Sequence, residues 1–198
     1  MDPACGSAVA ALEDDPFYRT ICGEYAHDAA RRRAVLASYF DCSIAEGREL
    51  GRCVHLAEPR QGVAVWLLPQ SVEAQLAAAK RKRAFLQSAL DAAGFANYYR
   101  IVEYMHGKTA GVVSGDAWYL SIIAVEPSLQ GQGLGRRLLE PTLGEADRAG
   151  ATCYLETFSP RNPSFYERLG FMTRARFAEP TSGAEYAVMV REPRSAGA

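Results

Sequence analysis

One stretch constrains this chain more than any other. The apolar run Ile122-Ile123-Ala124-Val125 is followed by the link Glu126-Pro127-Ser128-Leu129-Gln130, and then by Gly131-Gln132-Gly133-Leu134-Gly135-Arg136-Arg137. A buried strand ends, and glycines at alternate positions open a helix. Glycine has no Cβ, so a ligand can approach the backbone closely. The first-turn N–H groups of a helix lack internal partners and carry its positive dipole end. Together they make an anion cradle suited to a phosphate or pyrophosphate, with Arg136 and Arg137 adding charge at its rim. The plain alternative is a glycine-rich turn that only starts a helix. Three glycines in five residues, directly after an apolar strand, favour the cradle.

Two nucleotide-binding patterns fail on spacing. A P-loop ends Gly-Lys-Ser/Thr, whereas this loop ends Gly135-Arg136-Arg137. In G-x-G-x-x-G the third glycine comes one residue later than Gly135, at the place of Arg136. Glu156 does lie about 20 residues on, as a ribose-binding acid would. Too little chain follows the motif, however, to finish a doubly wound dinucleotide domain.

The remaining sequence reads as one domain over 1–198 with no linker or repeat, and with residues 1–7 and 193–198 as frayed ends. Tyr25 to Phe40 reads as a helix. Cys53–Leu56 and Val63–Leu68 read as a hairpin around the turn cluster Ala57 to Gly62. Ser71 caps a long helix to about Ala92, with Leu76, Ala79, Leu86 and Leu90 facing inward and Gly94 as its stop. Lys80-Arg81-Lys82-Arg83 within it reads as a solvated face. A tyrosine-rich helix spans Phe95 to Met105. Then come a strand (Trp118–Val125), a helix (Gly133–Ala149) kinked at Pro141, a strand (Thr152–Thr157), a short helix (Pro163–Leu169) and two strands (Phe171–Phe177, Glu185–Val190). The order implies a mixed α/β fold on one sheet.

Composition narrows the function classes. Twenty-two Lys+Arg against 23 Asp+Glu, net charge −1, argues against a dedicated nucleic-acid binder. No apolar run approaches the ~18 residues of a membrane span, and Met1-Asp2-Pro3-Ala4-Cys5 lacks the order of a secretory signal, so a cytoplasmic location is expected. Five scattered cysteines without a C-x-x-C pair and three isolated histidines leave no metal site to expect. Cys153, inside an apolar strand, reads as a core residue.

Gln130-Gly131-Gln132-Gly133-Leu134-Gly135 matches the Q/R-x-x-G-x-G/A motif, and the chain here resembles the GNAT superfamily of acyl-CoA-dependent N-acetyltransferases. Ala117 through Gly135, and Tyr154-Leu155-Glu156-Thr157 through Gly170-Phe171, are similar to its puromycin N-acetyltransferase subgroup. The likeness runs from about Val63 to Val190. It implies a GNAT sheet whose central strands splay to admit a pantetheine arm, acetyl-CoA as cosubstrate, and a small amine as acceptor. It also implies that backbone groups of Ile123, Ala124 and Val125 pair with the arm and that the amides of Gly131 to Arg136 hold the pyrophosphate. Gln130, Gly131, Gln132, Gly133, Leu134, Gly135, Arg136 and Asn162 thus become candidate cofactor contacts, and Tyr166 stands where the family has a residue near the sulfur. One departure is visible: the family's first strand has only the weak candidate Ser7-Ala8-Val9-Ala10-Ala11-Leu12.

Each candidate has a bland counterpart. Asn162 before Pro163 is also a good helix N-cap, and Tyr166 could pack in the core beside Phe165. As a phenol of ordinary pKa about 10, Tyr166 would serve as general acid to a leaving thiolate. Glu156, a carboxylate in an otherwise apolar strand bordering the cleft, is the candidate base; the counterpart is an edge carboxylate paired with an arginine. Tyr18, Tyr25, Tyr98, Tyr99 and Tyr104 would form an aromatic slot for an apolar or cationic amine, or simply pack. A non-catalytic acyl-CoA-binding module and a peptide or protein acceptor are the competing functions. The sequence leaves the oligomeric state open; among soluble oligomers in general a homodimer is the commonest outcome.

Overall fold

Val63, Val65, Ile122, Ala124 and Val188 belong to one apolar cluster, while Ala64, Trp66, Leu120, Leu155 and Met189 belong to another. Strand side chains alternate between faces, so the sheet is apolar on both sides and must be covered twice. The computed structural model describes residues 1–194 and has this layering. Strands β1 (Gly51–His55), β2 (Gly62–Leu67), β3 (Trp118–Val125), β4 (Cys153–Thr157), β5 (Met172–Glu179) and β6 (Ala184–Arg191) form one sheet in the order β1-β2-β3-β4-β6-β5. All neighbours are antiparallel except β3 and β4. Helices α1 (Cys5–Leu12), α2 (Pro16–Ile21), α3 (Ala29–Leu50), α4 (Val72–Ala89) and α5 (Ala92–Thr109) contribute to the first cluster. Helices α6 (Leu134–Ala149) and α7 (Pro163–Glu167) cover the second face. Asp15, Asp28, Ser71 and Asp91 start α2 to α5 by accepting first-turn amides on their side chains.

Two irregularities shape the centre. Val65 pairs with Ile122 and Trp66 with Leu120, which leaves Ser121 as an extra residue on β3. That bulge moves Leu120 and Ile122 onto opposite faces despite their even spacing. The parallel pairing of β3 with β4 then stops after three residue pairs, Trp118–Cys153, Tyr119–Tyr154 and Leu120–Leu155. From Ser121 onward the β4-facing edge of β3 has no strand partner.

The element order follows the sequence reading, with several corrections. The candidate first strand is a helix: Ala4, Cys5 and Ala8 are small enough for α1 to lie against α3 and β3, and all three are buried. Residues 1–7 are therefore anchored rather than frayed. The Asp2 carboxylate accepts from Arg48 and from the Ala4 amide, and lies 3.1 Å from His55 Nε2. Of the expected loose end 193–198, residues 195–198 lie outside the described residues. The helix expected over Tyr25–Phe40 starts at Ala29 and runs on to Leu50.

Further corrections concern α4. Leu76 is 66% exposed and Ala79 is also exposed, because the inner stripe of α4 runs through Ala78, Lys82 and Leu86 instead. Gly94 does not stop that helix; it lies in the first turn of α5, packed so close to the Ile21 carbonyl that a Cβ would collide with it. Among the described residues, Lys80 alone of its basic run has no ion-pair or ring partner. Arg81 meets Glu49 at 2.6 Å, Lys82 meets Glu46 at 2.6 Å, and Arg83 lies over the Phe95 and Tyr99 rings. Helix α6 runs continuously through Pro141.

Arg191 ties the second layer together. Its side chain is buried, donates to both Asp147 oxygens at 2.7 and 2.8 Å, and gives Nε–H to the Leu169 carbonyl at 3.0 Å. The pair joins β6 to the end of α6 and to the chain leaving α7. These guanidinium bonds hold the Asp147 carboxyl below the usual carboxylate range. Its stabilisation is therefore complete above about pH 4 and is lost as the pH falls through the lowered native value. Asp147→Ala is expected to cost about 2–3 kcal/mol at pH 7, at or below the low end for a buried pair because Asp147 keeps some exposure. Urea unfolding across the acid range should show the difference between variant and wild type shrinking below about pH 4.

Candidate active site

The parted strands open onto a cavity of about 870 Å³ on the α5 side of the sheet, reaching Asn162 and Tyr166 at its other end. Tyr119 and Tyr154, paired across β3 and β4, stack with ring centroids 4.7 Å apart. Two residues past Tyr154, Glu156 is on the same strand face and lines the cavity. The Thr109 hydroxyl at the end of α5 donates to its Oε1, and the Tyr119 hydroxyl donates to Oε2 at 3.3 Å. Burial pushes the Glu156 carboxyl above the usual range, against the pull of those two hydrogen bonds and of the nearby His106. Among the described residues no arginine pairs with it, so the edge ion pair weighed from sequence is not what the chain builds.

Tyr166 is 5% exposed and sits edge-on to Phe165 and Phe171, so it packs in the core and lines the cavity at once. Burial raises its phenol pKa, which keeps the proton on the oxygen at neutral pH. Asn162 precedes α7, yet its side chain does not cap the helix. It donates from Nδ2 to Thr157 Oγ1 at 3.1 Å, next to the free end of β4.

The glycine loop has the form of an anion cradle. Gly131 and Gly133 adopt φ of +79° and +77°, a region that disfavours side chains, and a Cβ on either would meet nothing within 4 Å. Among the described residues, six successive amides, Gly131 to Arg136, donate to no backbone carbonyl, and the N-cap at Gly133 brings no side-chain acceptor. Gln132 is exposed and Leu134 packs partly on the second core. Other candidate contacts are already engaged within the chain. Gln130 Nε2 donates to the Val125 carbonyl at 3.1 Å, which occupies one of the three backbone positions named for the arm. Arg136 turns along its own helix to Glu140 at 2.5 Å. The unpaired edge of β3 at Ile123 and Ala124 remains, and Ile123 reaches under Gly135 beside Phe165. The six free amides and the open strand edge fit a pyrophosphate-bearing amide arm.

Of the five tyrosines expected in a slot, Tyr18, Tyr98 and Tyr99 line the cavity. Tyr25 lies under Arg31, and Tyr104 bonds the Ala178 carbonyl at 2.9 Å, away from it. Sequence reasoning missed Asp15, Tyr39, Lys82, Thr109 and Tyr119. Only Lys82 left a signal, a cation on the i, i+4 stripe between Ala78 and Leu86. Cys153 is fully buried, its thiol pushed up to about 12 by desolvation.

Comparisons with known proteins agree with this geometry. Residues 53–171 match the model of the Acetyltransferase (GNAT) family. An uncharacterized N-acetyltransferase of Schizosaccharomyces pombe is 31% identical over 81 residues, 40% of this chain and 33% of that protein. The ribosomal protein bS18-alanine N-acetyltransferase of Escherichia coli K12 is 39% identical over 79 residues, 37% of this chain and 53% of that one. The chain thus spans a third to about half of the length of these curated relatives. A Corynebacterium glutamicum structure, described as histone acetyltransferase HPA2 and related acetyltransferase, superposes with a TM-score of 0.63. It is 22% identical, over 98% of this chain and 92% of that one, a likeness of fold. No helix among the described residues is long and apolar enough to cross a membrane. With more than half of its length matched by the family model and the splayed sheet in place, the chain belongs to the GNAT acetyltransferase family.

Proposed function

We propose that this protein is an acetyl-CoA-dependent N-acetyltransferase acting on a primary amine of a small molecule, by direct attack within a ternary complex. The observation that carries the reading is one cavity, opened by the early end of β3–β4 pairing, which Glu156 and Tyr166 both line. Acetyl-CoA, when bound, would supply the activated acetyl group as a thioester. Gly131 to Arg136 would hold its pyrophosphate on free amides, and the open edge of β3 at Ile123 and Ala124 would take the place of a strand partner.

The chain's own groups divide the proton handling. A primary amine with a pKa near 10 arrives as ammonium. Glu156, its carboxyl raised by burial yet held ready by Thr109 and Tyr119, accepts that proton directly or through a water. Tyr166 keeps a proton on its buried phenol and is the group that offers it to a departing thiolate. The ring-lined cavity favours a small acceptor over a protein chain, in line with the likeness of residues 117–171 to the puromycin N-acetyltransferase subgroup.

Three measurements test this. Calorimetric titration with acetyl-CoA should show one saturable site; a protein that does not bind it refutes the proposal. Binding without any acetylated product across amines and peptides would point to the non-catalytic module instead. Tyr166→Phe removes one oxygen from a packed ring, so kcat should fall about a hundredfold while acetyl-CoA affinity stays within about twofold. A wild-type turnover rate would take the acid role away from Tyr166. Without a base, the rate depends on the free-amine fraction and climbs with pH toward the amine pKa. Glu156→Gln should therefore be slowed about a hundredfold near pH 7 and progressively less as the pH approaches about 10. A pH–rate profile parallel to wild type would move the base elsewhere.

A further inference from the structure

The ionisable side chains facing the cavity besides the tyrosines are Asp15, Glu46, Lys82, His106 and Glu156. Lys82 and Glu46 cancel, their charged ends 2.6 Å apart and both largely buried. Asp15, His106 and Glu156 remain; His106 lies near Glu156, and neither carboxylate forms an ion pair among the described residues. Asp15 belongs to the link between α1 and α2, on a different element from Glu156. Its Oδ1 accepts the Phe17 amide at 3.0 Å, while Oδ2 has no hydrogen-bond partner among the described residues. Asp15 is half-buried, and desolvation raises its carboxyl to about 6. Asp15 lines the same cavity as Phe17, Tyr18, Tyr39 and Tyr98.

The rings around Asp15 suit a cation. Phe17, Tyr18, Tyr39 and Tyr98 cluster with centroids 5.2 to 6.4 Å apart, edge to face in every pair but the tilted Phe17–Tyr39. One of them already holds a positive charge: the Lys82 ammonium sits 5.7 Å over Tyr39. An acceptor bearing a carboxylate would meet two carboxylates, with Lys82 already committed to Glu46 and His106 beside Glu156 rather than Asp15. A monoamine would leave one carboxylate desolvated and unpaired, which is costly.

We propose that the acceptor is an amine with a second positive charge and no carboxylate, its reacting nitrogen at Glu156 and its second cation held by Asp15 within the Phe17, Tyr18, Tyr39 and Tyr98 rings. This inference rests on the acetyltransferase reading for which end reacts, but not for binding. The test uses straight-chain α,ω-diamines from 1,3-diaminopropane to 1,6-diaminohexane, each against the monoamine and the ω-amino acid of equal chain length. Calorimetry without acetyl-CoA and kcat/KM with it are the two readouts. The best diamine is expected to exceed its monoamine about tenfold or more in both, and its amino acid by more still.

Asp15→Asn keeps the acceptor oxygen that caps α2. In it the diamine-to-monoamine ratio should collapse toward one. Equal wild-type preference for monoamine and diamine, a preferred amino acid, or a ratio that Asp15→Asn leaves intact would each overturn the inference. Diamine-selective binding with no acetyl transfer would uphold it while refuting the proposed activity. Acetylation of all three amine types at similar rates would do the reverse.

Discussion

Everything about this molecule's site depends on a backbone that its own sheet declines to pair. β3 is an interior strand, buried on both faces, and an interior strand normally has both edges hydrogen-bonded. Here the pairing with β4 covers three residues and then stops, while both strands continue. Unmatched peptide groups in such a place are costly unless something else bonds them. The cost is limited because the gap opens into a cavity rather than into packed side chains. The same parting turns Glu156 and Thr157 toward the cavity and leaves room for Tyr166 from α7. A sheet that closed fully would have neither a cleft nor a carboxylate at its centre.

The sequence shows the cofactor half of the site far better than the acceptor half. Alternating glycines after an apolar strand are a local pattern with a local cause, a backbone that must take positive φ at Gly131 and Gly133. They were readable for that reason, as were the strand containing Glu156 and the helix containing Tyr166. The proposed acceptor half draws on Asp15, Tyr39, Lys82 and Thr109, residues from one link and three helices that come together around the cavity only by folding. Thr109 and Glu156 are 47 residues apart, and nothing in either segment announces the other. Comparison with relatives settles the family and the sheet; the acceptor stays with this chain's own residues.

Where helix faces were misjudged, the cause was apolarity taken as a sign of burial. Leu76 is the larger hydrophobe but faces solvent, whereas Lys82, inside a run of four basic residues, turns inward because Glu46 and the Tyr39 ring await it on α3. A buried lysine is tolerable only with such a partner, and sequence does not reveal partners on another helix. The N-terminal segment misled in the opposite way. Its short, small residues looked like a poor strand or a loose end, yet smallness is what lets α1 approach β3 closely.

The bulge at Ser121 makes β3 behave unlike an ordinary core strand under insertions and deletions. Side chains alternate strictly, so one residue more or less exchanges the two faces of everything downstream. Without Ser121, Ile122 and Ala124 would keep their places against the α1–α5 layer only if Tyr119 and Leu120 surrendered theirs. Either choice moves a residue from one core layer into the other, where the packing was built for a different side chain. Ser121 is half-buried, lines the cavity and forms no side-chain hydrogen bond among the described residues, but the position itself cannot be lost. Chain length at this point is under tighter constraint than chemical identity, the reverse of what holds at a catalytic carboxylate.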